Sequence, residues 1–270
     1  MSESKGGGVI RDTVGATAGV VFGALAAATG HGPELAAGAG IVGQTLALLG
    51  WDSVTRRSEP FVSAYRRELL EHNTGDFDEQ VRERAKDPQF RAVMYQALRK
   101  VRDTYDDAVV PALGVLTADY TVPAAKVPDA FFRGASDLLC ELTAEEYAAL
   151  VRLADEIAKT DDSGSTYIAI ATASQAPDKI KIAVGVSSQS VPTMTRTVEF
   201  RADACTTLAT RLVRHGLARD VPTPPGAFLY EGSTEAVSWS AIVHIDPKAA
   251  RRLHSVLSRA AVAEVAGVEA

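Results

Sequence analysis

Few residues in this chain are of types and spacings that do chemistry. His244 and Asp246 lie two apart at a predicted strand end, so they share a face, and His254 follows one helix later. A metal site there would need a third ligand and hydrogen-bonding support behind each histidine. A surface or half-buried histidine pair is the simpler reading. Asp103, Asp106 and Asp107 cluster at a predicted helix end, where like charges are usually just solvated. Ser187-Ser188-Gln189-Ser190 is a polar loop, and no His or Asp spacing nominates one of its serines as a nucleophile. Neither Cys140 nor Cys205 has a base or a second cysteine at short spacing, so both read as reduced, small hydrophobes. There is no phosphate loop or dinucleotide fingerprint. The residues therefore point to a chain that is not an enzyme and holds no cofactor or metal.

The remaining candidates are contacts. Arg211, Arg214, His215 and Arg219 surround a predicted helix, Asp203–His215, and its end. Such a group can meet a protein partner or a phosphate backbone. Asp203, Asp220 and Glu231 dilute it, and the chain carries a net charge of −6. That balance argues against a general nucleic-acid binder, which needs a basic face.

The elements that carry these residues change character along the chain. Helical spacing of apolar residues predicts helices over Ser53–His72, Phe77–Lys86, Gln89–Val110 and Asp129–Leu139. In the third of these, Phe90, Val93, Met94, Ala97, Leu98, Val101 and Tyr105 form one stripe. Asp87-Pro88 opens it as cap and first-turn proline. Thr143 and Glu146 have the capping-box spacing and open a helix over Ala144–Lys159. From Thr166 the period becomes two, which predicts strands at Thr166–Ala173, Lys179–Ser187 and Thr193–Phe200. Gly216 stands where a helix-ending glycine belongs, with Leu217 beyond it. Ala227–Glu231 and Ser238–Ile245 read as a hairpin, and Asp246-Pro247 starts a last helix, Lys248–Val265. The expected class is α+β. Residues 1–52 form an apolar hairpin, 53–160 a helical segment, and 161–270 a winged-helix-like α+β segment.

The apolar hairpin is the strongest signal. From Thr13 to Pro33 there is no charge if His31 is neutral, and from Leu35 to Trp51 there is none. His31-Gly32-Pro33-Glu34 forms a turn between two runs of roughly 17 residues, each about 25 Å long as a helix. That is short for a bilayer core of about 30 Å. Yet Gly15, Gly19 and Gly23 recur every fourth position, and Ala39, Gly43 and Ala47 do the same. Small residues at that spacing let helix backbones approach closely, as they do when helices associate in lipid. Lys5 and Arg11 precede the first run and Arg56-Arg57 follow the second, so both flanks face the cytoplasm if the hairpin inserts. The other reading is a hairpin buried in a soluble core or an oligomer interface. A signal peptide fits less well, because the apolar region continues into a second run.

The segment Pro128–Leu153 (PDAFFRGASDLLCELTAEEYAALVRL), followed later by Leu212–Asp220 (LVRHGLARD), resembles the bacterial abortive-infection alpha family. The shared pattern is a proline-led helix start, a Leu-Thr step into an acidic helix, and a later Leu-x-x-x-Gly-Leu segment. From Pro128 to Asp220 it spans about a third of the chain. The stretch from Pro128 to Leu142 is longer than the family pattern. The resemblance implies phage defence and carries no catalytic residues.

These readings combine into a bacterial membrane-associated effector or adaptor, at the inner membrane with its soluble part in the cytoplasm. The hairpin inserts or makes a homo-oligomer, and the rest senses an unknown protein partner. The alternatives are a soluble, cytoplasmic homo-oligomer packed through the hairpin and a winged-helix DNA-binding regulator.

Overall fold

The structure, a computed structural model, describes residues 51–72, 75–122, 127–160, 167–173, 179–185, 194–199, 202–220 and 239–268. The expected hairpin, with Gly15, Gly19, Gly23, Ala39, Gly43 and Ala47, lies outside the described residues, as does the expected strand 227–231. The chain falls into two compact units, Met1–Val127 with Ala260–Ala270, and Pro128–Arg259.

The first unit is helical where it is described: α1 (Trp51–His72), α2 (Phe77–Arg84), α3 (Pro88–Asp103), a single 3-10 turn (Asp107–Val109) and α4 (Val110–Thr121). Asp76 caps α2, accepting from the Glu79 amide, and Asp87 caps α3 ahead of Pro88, accepting from the Gln89 amide. The chain expected to run as one helix from Gln89 to Val110 breaks instead after Asp103. Thr104 turns to extended backbone (φ −63°, ψ 136°) and its hydroxyl donates to the Lys100 carbonyl at 2.6 Å, which closes α3 well ahead of Pro111 in the first turn of α4. Asp106 then caps the new turn through the Ala108 amide at 3.1 Å. Because α3 ends early, Tyr105 leaves the apolar stripe and is 72 % exposed.

Helix α4 reads VPALGVLTADYT, with apolar residues on every side, the pattern of a helix enclosed by its neighbours. Residues Ala112 through Asp119 are all buried. Against it pack Phe61, Tyr65 and Leu69 of α1 and Met94, Ala97 and Val101 of α3, all buried. Tyr65 stacks on Phe61 and meets the edge of Phe77, each at 6.3 Å between ring centroids. The Thr121 hydroxyl donates to the Thr117 carbonyl at 2.8 Å, so the Tyr65 phenol donates to Thr121 at 3.1 Å. Burial raises the Tyr65 pKa and keeps the phenol neutral. Gly114 is the tightest point. A Cβ there would stand 2.5 Å from the Phe61 carbonyl oxygen and 3.0 Å from the Ala64 Cβ.

The second unit holds α5 (Asp129–Glu141), α6 (Ala144–Thr160), β1 (Tyr167–Ala173), β2 (Lys179–Gly185), β3 (Met194–Glu199), α7 (Ala202–Arg214), β4 (Ala218–Asp220), β5 (Trp239–Ile245) and α8 (Pro247–Val268), the last turns of α8 belonging to the first unit. The α+β class is therefore correct. The helices α5 and α6, expected in the helical segment, cluster with the sheet. All neighbouring strands are antiparallel, in the order β3-β2-β1-β5-β4. The central strand β1 places Ile168 opposite Val184 on one side and Ile245 on the other. Ile168 and Ile170 are buried, as are Leu150, Leu153, Leu208, Leu212, Leu253 and Val256 of the helices in this unit. Among the described residues, no helix is long and apolar enough to cross a membrane.

Replacing Gly114 with Ala should separate α1 from α4, since the clash is with backbone. Overpacking of this kind typically costs ~1–3 kcal/mol. Denaturant unfolding of the full chain, with a probe in the helical unit, should show that loss there and no change in the α+β unit.

Candidate functional site

The capping box expected at Thr143 and Glu146 forms. The Thr143 amide donates to Glu146 Oε2 at 3.0 Å, and the Glu146 amide donates to the Thr143 hydroxyl at 3.2 Å. The other carboxylate oxygen, Oε1, receives Arg211 Nη2 from α7 at 3.1 Å. Arg211 Nη1 also donates to the Glu141 carbonyl at the end of α5. One guanidinium thus ties α7 to two helices at once, with the Arg211 and Glu146 side chains 20 % and 13 % exposed.

The rest of the basic group continues this seam. Arg214 lies 3.3 Å from Glu141 Oε2. His215 Nε2 lies 3.2 Å from the same oxygen, although it is not aligned for a hydrogen bond. Gly216 ends α7 at φ +69°, the left-handed conformation that favours glycine. The Leu217 amide donates to the Leu212 carbonyl and the Gly216 amide to the Val213 carbonyl, the paired closure of a Schellman motif. This turn passes so close to α5 that a Cβ at Gly134 would stand 2.2 Å from the His215 carbonyl oxygen. Of the four residues picked from sequence, Arg211, Arg214 and His215 share carboxylate partners within the fold. Arg219 stands apart on β4, exposed, with His244 of β5 opposite it in register.

The structure does not bring the other polar candidates together. Asp246 caps α8 through the Lys248 and Ala249 amides at 2.8 and 3.1 Å. His254 pairs with Asp155 of α6 at 3.1 Å. His244 is half-buried, and that burial lowers its pKa. Asp103 is held between Arg102, at 2.8 Å, and Arg99, at 3.6 Å. The hydrogen bond from Arg102 keeps the Asp103 carboxyl below its ordinary range. Asp107 pairs with Arg57 of α1 at 2.7 Å. Cys140 is half-buried, and no disulfide joins it. Among the described residues, no group of three or more His, Cys, Asp or Glu can hold a metal ion.

Sequence reasoning missed a cleft of about 760 Å³ in the helical unit. Arg84, Gln89, Phe90, Val93, Tyr120 and Thr121 line it. Arg84 Nη1 donates to the Thr121 carbonyl at 3.0 Å, which fixes one wall. The opening is large enough for a small molecule, and its lining mixes the charged Arg84 and Asp87 and the amide of Gln89 with the apolar Phe90 and Val93. Its residues come from three separate helices, and no spacing in the sequence marks them as neighbours.

Arg211→Ala would leave the partly buried Glu146 carboxylate and the Glu141 carbonyl without their charged donor. The expected loss is ~1–3 kcal/mol, read by denaturant unfolding of the α+β unit. His244 supplies a pH test. Its folded pKa lies below the ordinary value of about 6.5, so the unfolded chain takes up the proton first as pH falls. The stability tied to neutral His244 is present above that value and is lost as pH falls through it. His244→Gln should flatten that part of the stability profile between about pH 7 and 5.

Comparison with protein-family models, curated proteins and solved structures finds no match to this chain.

Proposed function

We propose that this chain is a non-enzymatic, membrane-associated bacterial effector or adaptor. The observation that carries the reading is one of continuity. The charge-free stretch Leu35–Trp51 ends on the residue that begins α1, and α1 is the helix against which α4 packs. An apolar anchor and a folded helical unit therefore follow each other without a linker. In this reading the hairpin enters the inner membrane and self-associates through Gly15, Gly19, Gly23, Ala39, Gly43 and Ala47, where close backbone packing drives association. The soluble part lies on the cytoplasmic side, in keeping with the flanking Lys5, Arg11 and Arg56-Arg57.

The α+β unit is the part that meets a protein partner. We read it as winged-helix-like because α7 is followed by β4 and β5, and β5 lies between β4 and β1. The strands β2 and β3 extend that arrangement beyond a minimal winged helix. The ion pairs of Arg211 and Arg214 with Glu146 and Glu141 favour a protein partner over DNA, since those guanidinium groups already have anionic neighbours. The resemblance of Pro128–Leu153 and Leu212–Asp220 to the abortive-infection alpha family supports phage defence as the setting.

Fractionation of cells making the full chain, beside cells making a chain that starts at Ser53, tests the proposal. The full chain should sediment with membranes and resist a high-salt wash. The shorter chain should remain in the supernatant with its helical circular dichroism intact. A full chain found only in the supernatant overturns the membrane reading. If it also elutes as an oligomer that Gly19→Ile dissolves, the hairpin is a soluble packing interface.

A further inference from the structure

Two large aromatic side chains of the helical unit stand in solvent without a packing reason. Tyr105 is 72 % exposed and Tyr95 67 % exposed. Tyr105 lies at the corner between α3 and the 3-10 turn, and that corner is bound to α1. Arg57 donates to the Thr104 carbonyl at 2.9 Å and pairs with Asp107 at 2.7 Å. Arg57 is six residues into α1, about 9 Å along the axis from the first residue of that helix at 1.5 Å rise per residue, and its side chain ties the corner to that end of α1. That first residue, Trp51, is also the last of the apolar stretch.

We infer that this corner, led by Tyr105, is the face of the helical unit that rests in the headgroup layer of the bilayer. The inference rests on the membrane reading above and adds to it which surface meets the lipid. The chain preceding α1 supplies the reason for this occupant, because an inserted hairpin ending at Trp51 delivers the corner to the membrane surface. Tyrosine suits that layer, with an apolar ring and a polar tip. The headgroup layer is about 5–8 Å deep on each side of the hydrocarbon, a depth comparable with the length of a tyrosine side chain. Charge does not drive the contact. The described side chains at this end are Arg57, Arg99, Lys100 and Arg102 against Asp103, Asp106 and Asp107, and they nearly cancel. Tyr95 lies two turns back along α3 and should be seated less deeply. Leu70, 39 % exposed, marks the far end of α1, about 20 Å beyond Arg57 along the axis.

The test uses the full chain, with Trp51→Phe and Trp239→Phe to clear the background, on phosphatidylcholine vesicles. Tyr105→Trp, Tyr95→Trp and Leu70→Trp are compared one at a time. Flotation establishes binding, and lipids brominated near the top of their acyl chains report depth by quenching. Tyr105→Trp should lose roughly twofold in fluorescence, Tyr95→Trp less, and Leu70→Trp almost none, as expected for a probe within or outside the interfacial layer. Raising the salt to about 0.5 M should leave the pattern unchanged, because exposed charges are then screened. Equal quenching at all three positions, no quenching at position 105 in a chain that floats, or loss of the pattern in salt each overturns the assignment of this face. A chain that does not float overturns the membrane reading itself.

Discussion

Helix α4 can exist only inside something. From Ala112 to Asp119 every residue is buried, so its stability depends on neighbours that approach on all sides. Gly114 sets how close α1 comes, because no side chain could stand between its Cα and the Phe61 carbonyl. Other contacts follow from that distance. Tyr65 reaches Thr121, Thr121 receives Arg84 on its carbonyl, and Arg84 then forms a wall of the cleft. The same α1 carries Arg57, which holds the corner beyond α3 and leaves Tyr105 exposed.

In the α+β unit a single carboxylate has a comparable role. Glu146 uses one oxygen to close the start of α6 and the other to hold Arg211 of α7. A local capping signal thereby becomes a long-range tether. Gly134 and the closing turn at Gly216 bring the end of α7 against α5. The positive charges that read as a contact surface in one dimension thus include a fastening between helices. A partner of this unit would meet the exposed Arg219 more readily than Arg211.

The proposed function joins these two units to a membrane. Both the cleft and the tyrosine corner lie in the helical unit, which follows directly on the apolar stretch. A ligand in the cleft would touch α2, α3 and α4, and α4 packs on α1, the helix that follows the apolar stretch in sequence. In the proposed function the α+β unit supplies a separate surface for a protein partner.

Sequence alone determined the features that depend on near neighbours. The caps at Asp87, Thr143 and Asp246, the closing glycine at Gly216, and the change from helical to strand period near Thr166 are all local, and each stands as read. The apolar stripe of α3 was legible for the same reason, since helical periodicity needs only a few turns. Its end was not. Tyr105 continued the spacing, but extended backbone at Thr104 and the competing cap at Asp106 stopped the helix first. Tertiary structure alone decided which strands pair, that α5 and α6 join the sheet, and that three helices enclose a cleft. It also decided that Arg211 and Arg214 face carboxylates from α5 and α6. Those outcomes depend on residues tens of positions apart, and what brings them together is burial of apolar faces. That force is strong but not directional, so a sequence shows which face will be buried without showing what will bury it.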